Sequence, residues 1–348
     1  MKIGNDFKAF EGRWRFLFVL VVLVAKCSRS LTPESDHNEL TAQAYQKIAK
    51  QLLDKFQPPA ARPRTHPAGS DNLNPKLSHP TSDTTPPSPK MPAENTLTTS
   101  FTPVELESLS QLLLELPRLL DSLPGGQEVD HECWGIPIKI GAEETDARFR
   151  VVLVKFLRAN KFSVPAAYDQ LRETLIWRHE FRALEAADEE YDQDLYGQVG
   201  LIHGRTKKGG LVTWNFYGGL DNERVFGNVE RFLRWRVGLM ERGIREGVDF
   251  VTRDSMAQVH DYANVSFFSI SPTTKLASKT TIQTFQTYYP ELLSQKFFVN
   301  VPGMLAWVFK VMSGFVNKET ERKFVMLGSV KGLRKFIDEG EWPSKVQK

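Results

Sequence analysis

Apolar residues follow two different periods along the chain. From residue 101 to about 194 they recur at helical spacing, and they predict helices around Leu106–Leu116, at Ala147–Ala159 and at Pro165–Glu180. Beyond residue 194, short apolar runs alternate with helical patterns. The predicted strands are Val199–His203, Leu211–Tyr217, Met256–Tyr262, Lys296–Val301 and Lys323–Leu327. Strands separated by helices predict an α/β fold, in which a largely parallel sheet follows an all-helical N-terminal lobe.

The first 100 residues have a different composition. Segment 1–30 contains the apolar run 16–25, which is far shorter than the ~20 residues that span a bilayer as a helix. The run has the length of a signal-peptide core, but the acidic Asp6 and Glu11 precede it, which is unusual for a signal peptide. The segment is therefore either a cleaved leader or a short anchor that touches the membrane, and secretion is the weaker alternative.

Segment 31–100 is rich in Pro, Ser and Thr and contains no aromatic residue from 57 to 100. Such a segment buries too little apolar area to offset its ordering entropy, so we predict a largely disordered linker. The helical lobe then occupies 101–194, and the ligand-binding domain occupies 195–340.

Charge and cysteine content exclude several classes of protein. A formal net charge of +3 over 348 residues does not indicate a nucleic-acid-binding protein. Cys27 and Cys133 cannot form a disulfide framework and lie in no metal-ligand pattern, which favours free thiols in a reducing compartment. The histidines form no ligand-spaced group, and no Ser/His/Asp or Cys/His arrangement is persuasive.

One face of the predicted sheet carries polar and aromatic side chains. Alternation places Gln258, His260 and Tyr262 on one face of their strand, and it places Ala257, Val259 and Asp261 on the other. The corresponding residues of the neighbouring strands are Thr213, Asn215, Tyr217, Lys296, Phe298 and Asn300. A half-exposed antiparallel sheet also shows this pattern, but crossover helices favour a covered sheet whose polar face lines an internal pocket.

The helix predicted at Val229–Ile244, with Asn228 as N-cap, carries an unusual arginine. Arg236 falls within its apolar stripe, whereas Arg231, Arg234, Arg242 and Arg245 fall on the opposite, solvated side. A buried guanidinium keeps its charge and needs an acceptor. Two interpretations have nearly equal weight: an ion pair with a carboxylate such as Asp261, or a cation inside the pocket.

Two further segments have simple interpretations. The helix predicted at Met304–Val316 is apolar almost all round, which is typical of a core helix or of a lid over an apolar cavity. The glycine-rich run 204–210 lacks the spacing of a phosphate-binding loop and predicts a turn between strands.

Several motifs together resemble the CRAL-TRIO lipid-binding family. V-K-F-L-R-A-N-K-F (154–162) resembles its helical entry signature, and Y-Y-P-E-L-L-S-Q-K-F-F-V-N-V-P (288–302) resembles its central signature. W-G-I-P (134–137), V-T-W-N-F-Y-G (212–218) and Q-V-H-D-Y (258–262) are similar to its fungal, haem-binding, phosphatidylinositol-transfer-like branch. The resemblance implies the CRAL-TRIO fold, in which a mainly parallel sheet floor and a helical gate enclose a hydrophobic cavity.

The haem-branch positions fall on residues that the pocket face and the helical stripe had already singled out. The resemblance implies haem contacts from Tyr217, Arg236, His260, Tyr262 and Lys296, with Tyr262 as the axial ligand of ferric haem b. A phenolate is a hard anionic ligand that suits ferric iron. A nearby cation such as Arg236 would stabilise the phenolate form, and His260 would donate a hydrogen bond to it or hold a propionate.

The resemblance also implies phosphatidylinositol binding and exchange. The headgroup positions of lipid-transferring members fall on Glu291 and Lys323, while Leu292 stands where many relatives carry an arginine. We therefore expect a non-enzymatic protein of phosphoinositide homeostasis or the oxidant stress response. It would be cytoplasmic and peripherally associated with the endoplasmic reticulum membrane, and no protein partner is inferable. The alternatives are a lipid-exchange module without haem and, less favoured, a haem enzyme.

Overall fold

The structure, a computed structural model, describes residues 93–265, 271–301 and 323–347. Three predicted features lie outside the described residues: the apolar segment 1–30, the linker 31–100 up to residue 92, and the apolar helix Met304–Val316.

Several helices follow the predicted apolar periodicity closely, and others were not predicted. The α-helices are α1 (Pro103–Asp121), α2 (Ala142–Thr145), α3 (Ala147–Ala159), α4 (Val164–Phe181), α5 (Gln193–Tyr196), α6 (Asn222–Phe226), α7 (Val229–Gly247) and α8 (Pro272–Tyr288). Short 3-10 helices lie at Thr98–Ser100, Gly126–Glu128, Glu185–Ala187, Val330–Lys335 and Glu339–Glu341.

Helix α1 begins with a capping box. The Thr102 side chain accepts a hydrogen bond from the Glu105 amide, and the Glu105 carboxylate accepts one from the Thr102 amide. Its buried leucines pack against α3 and α4, which cross it in the lobe. The predicted helix Ala147–Ala159 is confirmed as α3, and α4 extends the third predicted helix by one residue at each end.

The segment before α1 is attached to the folded part. The Asn95 side-chain amide donates to the Phe250 carbonyl (2.9 Å), and the Ala93 amide donates to the Glu143 carbonyl (3.0 Å). Residues 93–100, which we assigned to the linker, are thus bound to the lobe.

The main sheet has the strand order β3-β4-β5-β6-β7. Its strands are β3 (Gly200–Arg205), β4 (Leu211–Phe216), β5 (Met256–Asp261), β6 (Leu293–Val299) and β7 (Phe324–Met326), and a separate hairpin joins β1 (Glu132–Cys133) to β2 (Ile136–Pro137). Strands β4 to β7 are parallel, so the largely parallel α/β sheet is confirmed. Strand β3 is antiparallel to β4, because the short turn between them allows only a hairpin connection.

The two faces of the sheet differ as alternation predicts. Val212, Trp214, Val259 and Phe297 lie on one face and pack against the C-terminal segment that contains Leu333, Ile337 and Trp342. The C-terminal segment therefore covers one side of the sheet, and the polar side chains lie on the other.

Helix α7 begins at Asn228, whose side chain accepts from the Arg231 amide (2.9 Å), so the predicted N-cap is confirmed. Its arginine face is less solvated than predicted. Arg242 donates to the Ala187 carbonyl (3.2 Å), and Arg234 lies over the Phe181 ring, 4.9 Å from its centroid. The predicted solvated side is confirmed for Arg231 and Arg245, which are exposed. It is wrong for Arg234 and Arg242, which are partly buried because their stems cover apolar surface while the guanidinium finds acceptors.

A buried ion-pair network joins the lobe to α7. Arg178 of α4 donates to Glu241 of α7 (2.6 Å), and their side chains are 1% and 2% exposed. Arg178 also binds Glu132 of β1 (3.0 Å), and the Tyr289 hydroxyl donates to Glu241 (2.5 Å). Each charge is paired and hydrogen-bonded, as buried charges require.

Candidate functional site

The strand register brings the predicted pocket residues side by side. Gln258 pairs with Thr213 on one side and with Lys296 on the other. One alternation further along, His260 pairs with Asn215 and Phe298. Because paired residues of neighbouring strands share a face, Thr213, Asn215, Gln258, His260, Lys296 and Phe298 form one continuous surface, as predicted. Asn300, which we also assigned to this face, follows β6 and instead donates to Asp261 on the opposite face.

Tyr217, His260 and Tyr262 form a contact cluster at the end of this surface. The Tyr217 hydroxyl lies 2.5 Å from His260 Nδ1, and Gln258 Oε1 lies 3.3 Å from His260 Nε2. The amide oxygen accepts, so Nε2 carries the proton and Tyr217 donates to Nδ1. The expected hydrogen bond from His260 to the phenolate of Tyr262 is therefore replaced by bonds to Tyr217 and Gln258.

Tyr262 is held among aromatic rings. Its ring centroid lies 5.1 Å from that of Tyr217 and 6.4 Å from that of Phe298. Its amide donates to the Val299 carbonyl (3.0 Å), which ties the residue to β6 just after β5 ends. The phenol is thus fixed in direction by the backbone and by ring packing.

Arg236 lies in an aromatic environment and makes no ion pair with Asp261. Its guanidinium carbon is 5.5 Å from the ring centroids of both Trp235 and Phe285. Asp261 lies on the opposite face of β5 and accepts hydrogen bonds from the Ala263 amide and the Asn300 side chain, both at 2.8 Å. The structural-pair interpretation of Arg236 with Asp261 is therefore wrong.

Lys296 is a second cation on the same surface. Its Nζ lies 5.8 Å from the Phe298 ring centroid. Within the part of the chain that the structure describes, neither Lys296 nor Arg236 has a carboxylate among its electrostatic partners. Both side chains are only partly exposed, and among the described residues neither has the anion with which a desolvated charge is usually paired.

Burial is the leading cause of the pKa shifts in this cluster. It raises the pKa of Tyr217 to about 12 and that of Tyr262 well above its usual value. It lowers the pKa of His260 well below its usual value, and the charges of Lys296 and Arg236 lower it further. Burial, with Arg236, lowers the pKa of Lys296 to about 8. At neutral pH the two phenols and the imidazole are uncharged, so the cluster is net cationic.

Glu291 and Lys323 are in direct contact, although 32 positions separate them in sequence. Lys323 Nζ donates to Glu291 Oε2 at 2.7 Å, and both side chains are about a quarter exposed (26% and 28%). Glu291 precedes β6 and Lys323 precedes β7, so the parallel strands bring the two residues to one edge of the sheet. Leu292 is buried in the core.

Lys155 and Asp254 were not predicted as part of the site. Lys155 Nζ donates to the Glu291 carbonyl (2.8 Å) and to Asp254 Oδ2 (2.9 Å). The signal in the sequence was a single lysine inside the apolar run V-V-L-V-K-F-L (151–157). A lysine at such a position needs buried acceptors.

Two kinds of feature are absent from the described ranges. Within 93–265, 271–301 and 323–347, no helix has the length and apolar character that a membrane crossing requires. The same ranges hold no cluster of three or more His, Cys, Asp or Glu residues arranged for a metal ion.

Comparison with known proteins defines the class. The model of the CRAL/TRIO domain matches residues 195–346, and that of the CRAL/TRIO N-terminal domain matches residues 106–173. The chain belongs to the CRAL/TRIO family, as the motifs indicated.

Within the CRAL/TRIO family, the chain is similar to a group of fungal proteins. The chain is 41% identical over 250 residues to the phosphatidylinositol transfer protein sfh5 of Emericella nidulans, which covers 67% of this chain and 59% of that protein. It is 40% identical over 231 residues to the protein of the same name from Aspergillus oryzae, covering 62% of this chain and 49% of that one. The chain thus spans about half to three fifths of the length of these curated relatives. The crystal structure of Sfh5 aligns with a TM-score of 0.59 at 32% identity and covers 69% of this chain and 87% of that one.

Proposed function

We propose that this chain binds phosphatidylinositol and exchanges it between membrane surfaces without catalysing a reaction. The observation that carries the proposal is the Glu291–Lys323 contact at the sheet edge. A carboxylate accepts hydrogen bonds from inositol hydroxyls, and an ammonium group binds the phosphate. The relatives named as phosphatidylinositol transfer proteins support the same function.

A transfer assay tests this proposal. Fluorescent phosphatidylinositol in donor vesicles should move to acceptor vesicles when the full chain is added. Glu291→Ala and Lys323→Ala should each slow transfer by about tenfold, since each loses a hydrogen bond to a charged group. Lys331→Ala, at an exposed lysine near Lys323, is the matched control and should transfer normally. Absence of transfer by the unmodified chain, or normal transfer by both site variants, contradicts the proposal.

A second candidate function is the binding of ferric haem on the polar-aromatic face. The observation that favours it is the pair of cations, Arg236 and Lys296, which have no carboxylate partner among the described residues and whose charges act on His260. The residues fit the group: the aromatic rings accommodate a flat apolar macrocycle, and the cations match its two acid groups.

The roles of the residues follow from their chemistry. Ferric haem would supply a Lewis-acidic iron, and the Tyr262 phenolate would hold that iron. Burial keeps Tyr262 protonated, so phenolate formation would depend on positive charge nearby. Arg236 and Lys296 would supply that charge or bind the propionates. Tyr217, which donates to His260, and His260 itself would hold the edge of the group.

Absorption spectroscopy tests haem binding. The purified chain, or the chain mixed with haemin, should show a Soret band with about one iron per chain. Tyr262→Phe should shift or abolish the band, whereas Tyr288→Phe, on a ring stacked with Trp177, should leave it intact. A chain that excludes haemin but transfers lipid would be the lipid-exchange module alone. Peroxide turnover far above that of free haemin would indicate a haem enzyme.

The proposed lipid exchange also implies where in the cell the protein acts. A lipid-exchange protein works at membrane surfaces, and we expect this one in the cytoplasm with peripheral attachment to the endoplasmic reticulum. Release of the chain from a microsomal fraction by salt, without detergent, would support peripheral attachment. A detergent requirement would contradict it.

A further inference from the structure

Lys155 is a charged residue at the centre of the buried helix α3. Its side chain is 0% exposed, and apolar residues surround it in sequence. A fully buried lysine is rare unless its ammonium group has specific partners. Here the partners are Asp254 Oδ2 at 2.9 Å and the main-chain carbonyl of Glu291 at 2.8 Å. A residue of the helical lobe is thus hydrogen-bonded to Glu291, which we assign to headgroup binding.

Glu291 has a backbone conformation that needs support. Its φ of 55° lies in the left-handed region, which is unfavourable for residues with a Cβ. The Lys155 ammonium binds its carbonyl, and the carbonyl of the next residue, Leu292, accepts from the Met256 amide (3.0 Å). Fixing the backbone on this side of Glu291 sets the direction in which its carboxylate points.

We propose that Lys155 is a positioning residue for phosphatidylinositol binding, because its bond to the Glu291 carbonyl aims the Glu291 carboxylate at the headgroup. The inference rests on the proposed function of Glu291 and Lys323. Arg158, one turn further along α3, provides the contrast. Its guanidinium binds Glu105 (2.7 Å) and approaches Asp254 (3.6 Å), and its hydrogen bonds do not involve Glu291.

The test is a double-mutant cycle on phosphatidylinositol transfer, with each rate corrected for the folded fraction of the full chain. Lys155→Met should slow transfer by about tenfold, the effect of losing one charged hydrogen bond. In the Glu291→Gln background the same substitution should have almost no further effect, since the group that it positions is already impaired. Arg158→Met should cost stability but leave the corrected rate unchanged.

A merely structural role of Lys155 would give a different result. The losses from Lys155→Met and Glu291→Gln would then multiply, or Arg158→Met would slow transfer equally, and either result overturns the inference while leaving the proposed function intact. Failure of the unmodified chain to transfer phosphatidylinositol overturns both. Should Lys155→Met fail to fold, Asp254→Asn replaces it in the cycle, because it removes the other anchor of the ammonium group. A slowing that Glu291→Gln suppresses is expected, and a multiplicative slowing overturns the inference.

Discussion

The Tyr217 hydroxyl donates a hydrogen bond of 2.5 Å to His260 Nδ1, across the parallel pair β4–β5. The bond fixes the imidazole tautomer, because Gln258 Oε1 faces the other ring nitrogen. It also orients Tyr217 beside Tyr262. The polar face of the sheet is therefore an ordered hydrogen-bonded surface.

Tyr217 and His260 should behave as an energetically coupled pair. Tyr217→Phe and His260→Phe should each lower the free energy of unfolding by about 1–2 kcal/mol, since each leaves a buried polar partner without its bond. The double substitution should cost clearly less than the sum of the two. Urea denaturation of the four proteins measures the coupling, and strict additivity would show that the bond contributes nothing.

Arg236 should stabilise a bound ligand at the expense of the ligand-free chain. Arg236→Met keeps the stem but removes a buried charge that has no carboxylate partner among the described residues, so the ligand-free chain should gain about 1 kcal/mol in unfolding free energy. Affinity for an anionic ligand such as haemin should fall by about tenfold. Arg231→Met, at an exposed position of the same helix, should change neither. A destabilised Arg236→Met chain with unchanged haemin affinity would contradict this account.

The Arg178–Glu241 pair should be essential to the junction of lobe and α7. Arg178→Met should destabilise the protein by about 3–5 kcal/mol, because it leaves the Glu241 carboxylate buried without its cation. Arg182→Met removes a pair with Glu185 that is more than half exposed and should cost less than about 1 kcal/mol. Chemical denaturation separates the two. Similar losses from both variants would refute the assigned importance of the buried network.

Asp249 should make stability depend on acid pH. Burial opposes its charge, but amide hydrogen bonds from Arg253, Val251 and Thr252 outweigh burial and hold the pKa of Asp249 well below its usual value. A depressed pKa stabilises the fold above the unfolded value of ~4, and this stabilisation is lost as the pH falls below that value.

At neutral pH, Asp249→Ala should therefore cost about 1 kcal/mol, as removal of a capping carboxylate does. The difference between the variant and the unmodified chain should shrink from pH 6 to pH 3 in thermal melts. A difference that does not change with pH would mean that the charge of Asp249 is unimportant.

The sequence predicts local features better than long-range ones, for physical reasons. Strand alternation assigned Gln258, His260 and Lys296 to one face, because successive side chains of a strand point to opposite faces whatever the rest of the chain does. The same alternation places Asp261 on the opposite face, which the equal weight given to an Arg236–Asp261 pair did not take into account. Helix α8 was missed since its sequence is mostly Thr, Ser, Lys and Gln, with few buried positions to set a period.

Other contacts depend on chain segments that are distant in sequence. A shared headgroup role for Glu291 and Lys323 was expected only from the family resemblance, and their direct contact was not predicted, because no local pattern joins residues that far apart. The Lys155–Glu291 bond links α3 to the residue before β6, 136 positions away. Such bonds form only when the lobe packs on the sheet, so periodicity and composition cannot predict which residue Lys155 binds.

The most direct test of the central claim is native mass spectrometry of the full chain after incubation with vesicles that contain phosphatidylinositol and phosphatidylcholine. The account predicts a complex of one chain with one phosphatidylinositol, formed in preference to phosphatidylcholine and lost in Glu291→Ala and Lys323→Ala. A chain that carries no lipid, or one that binds the two lipids without preference, would contradict it.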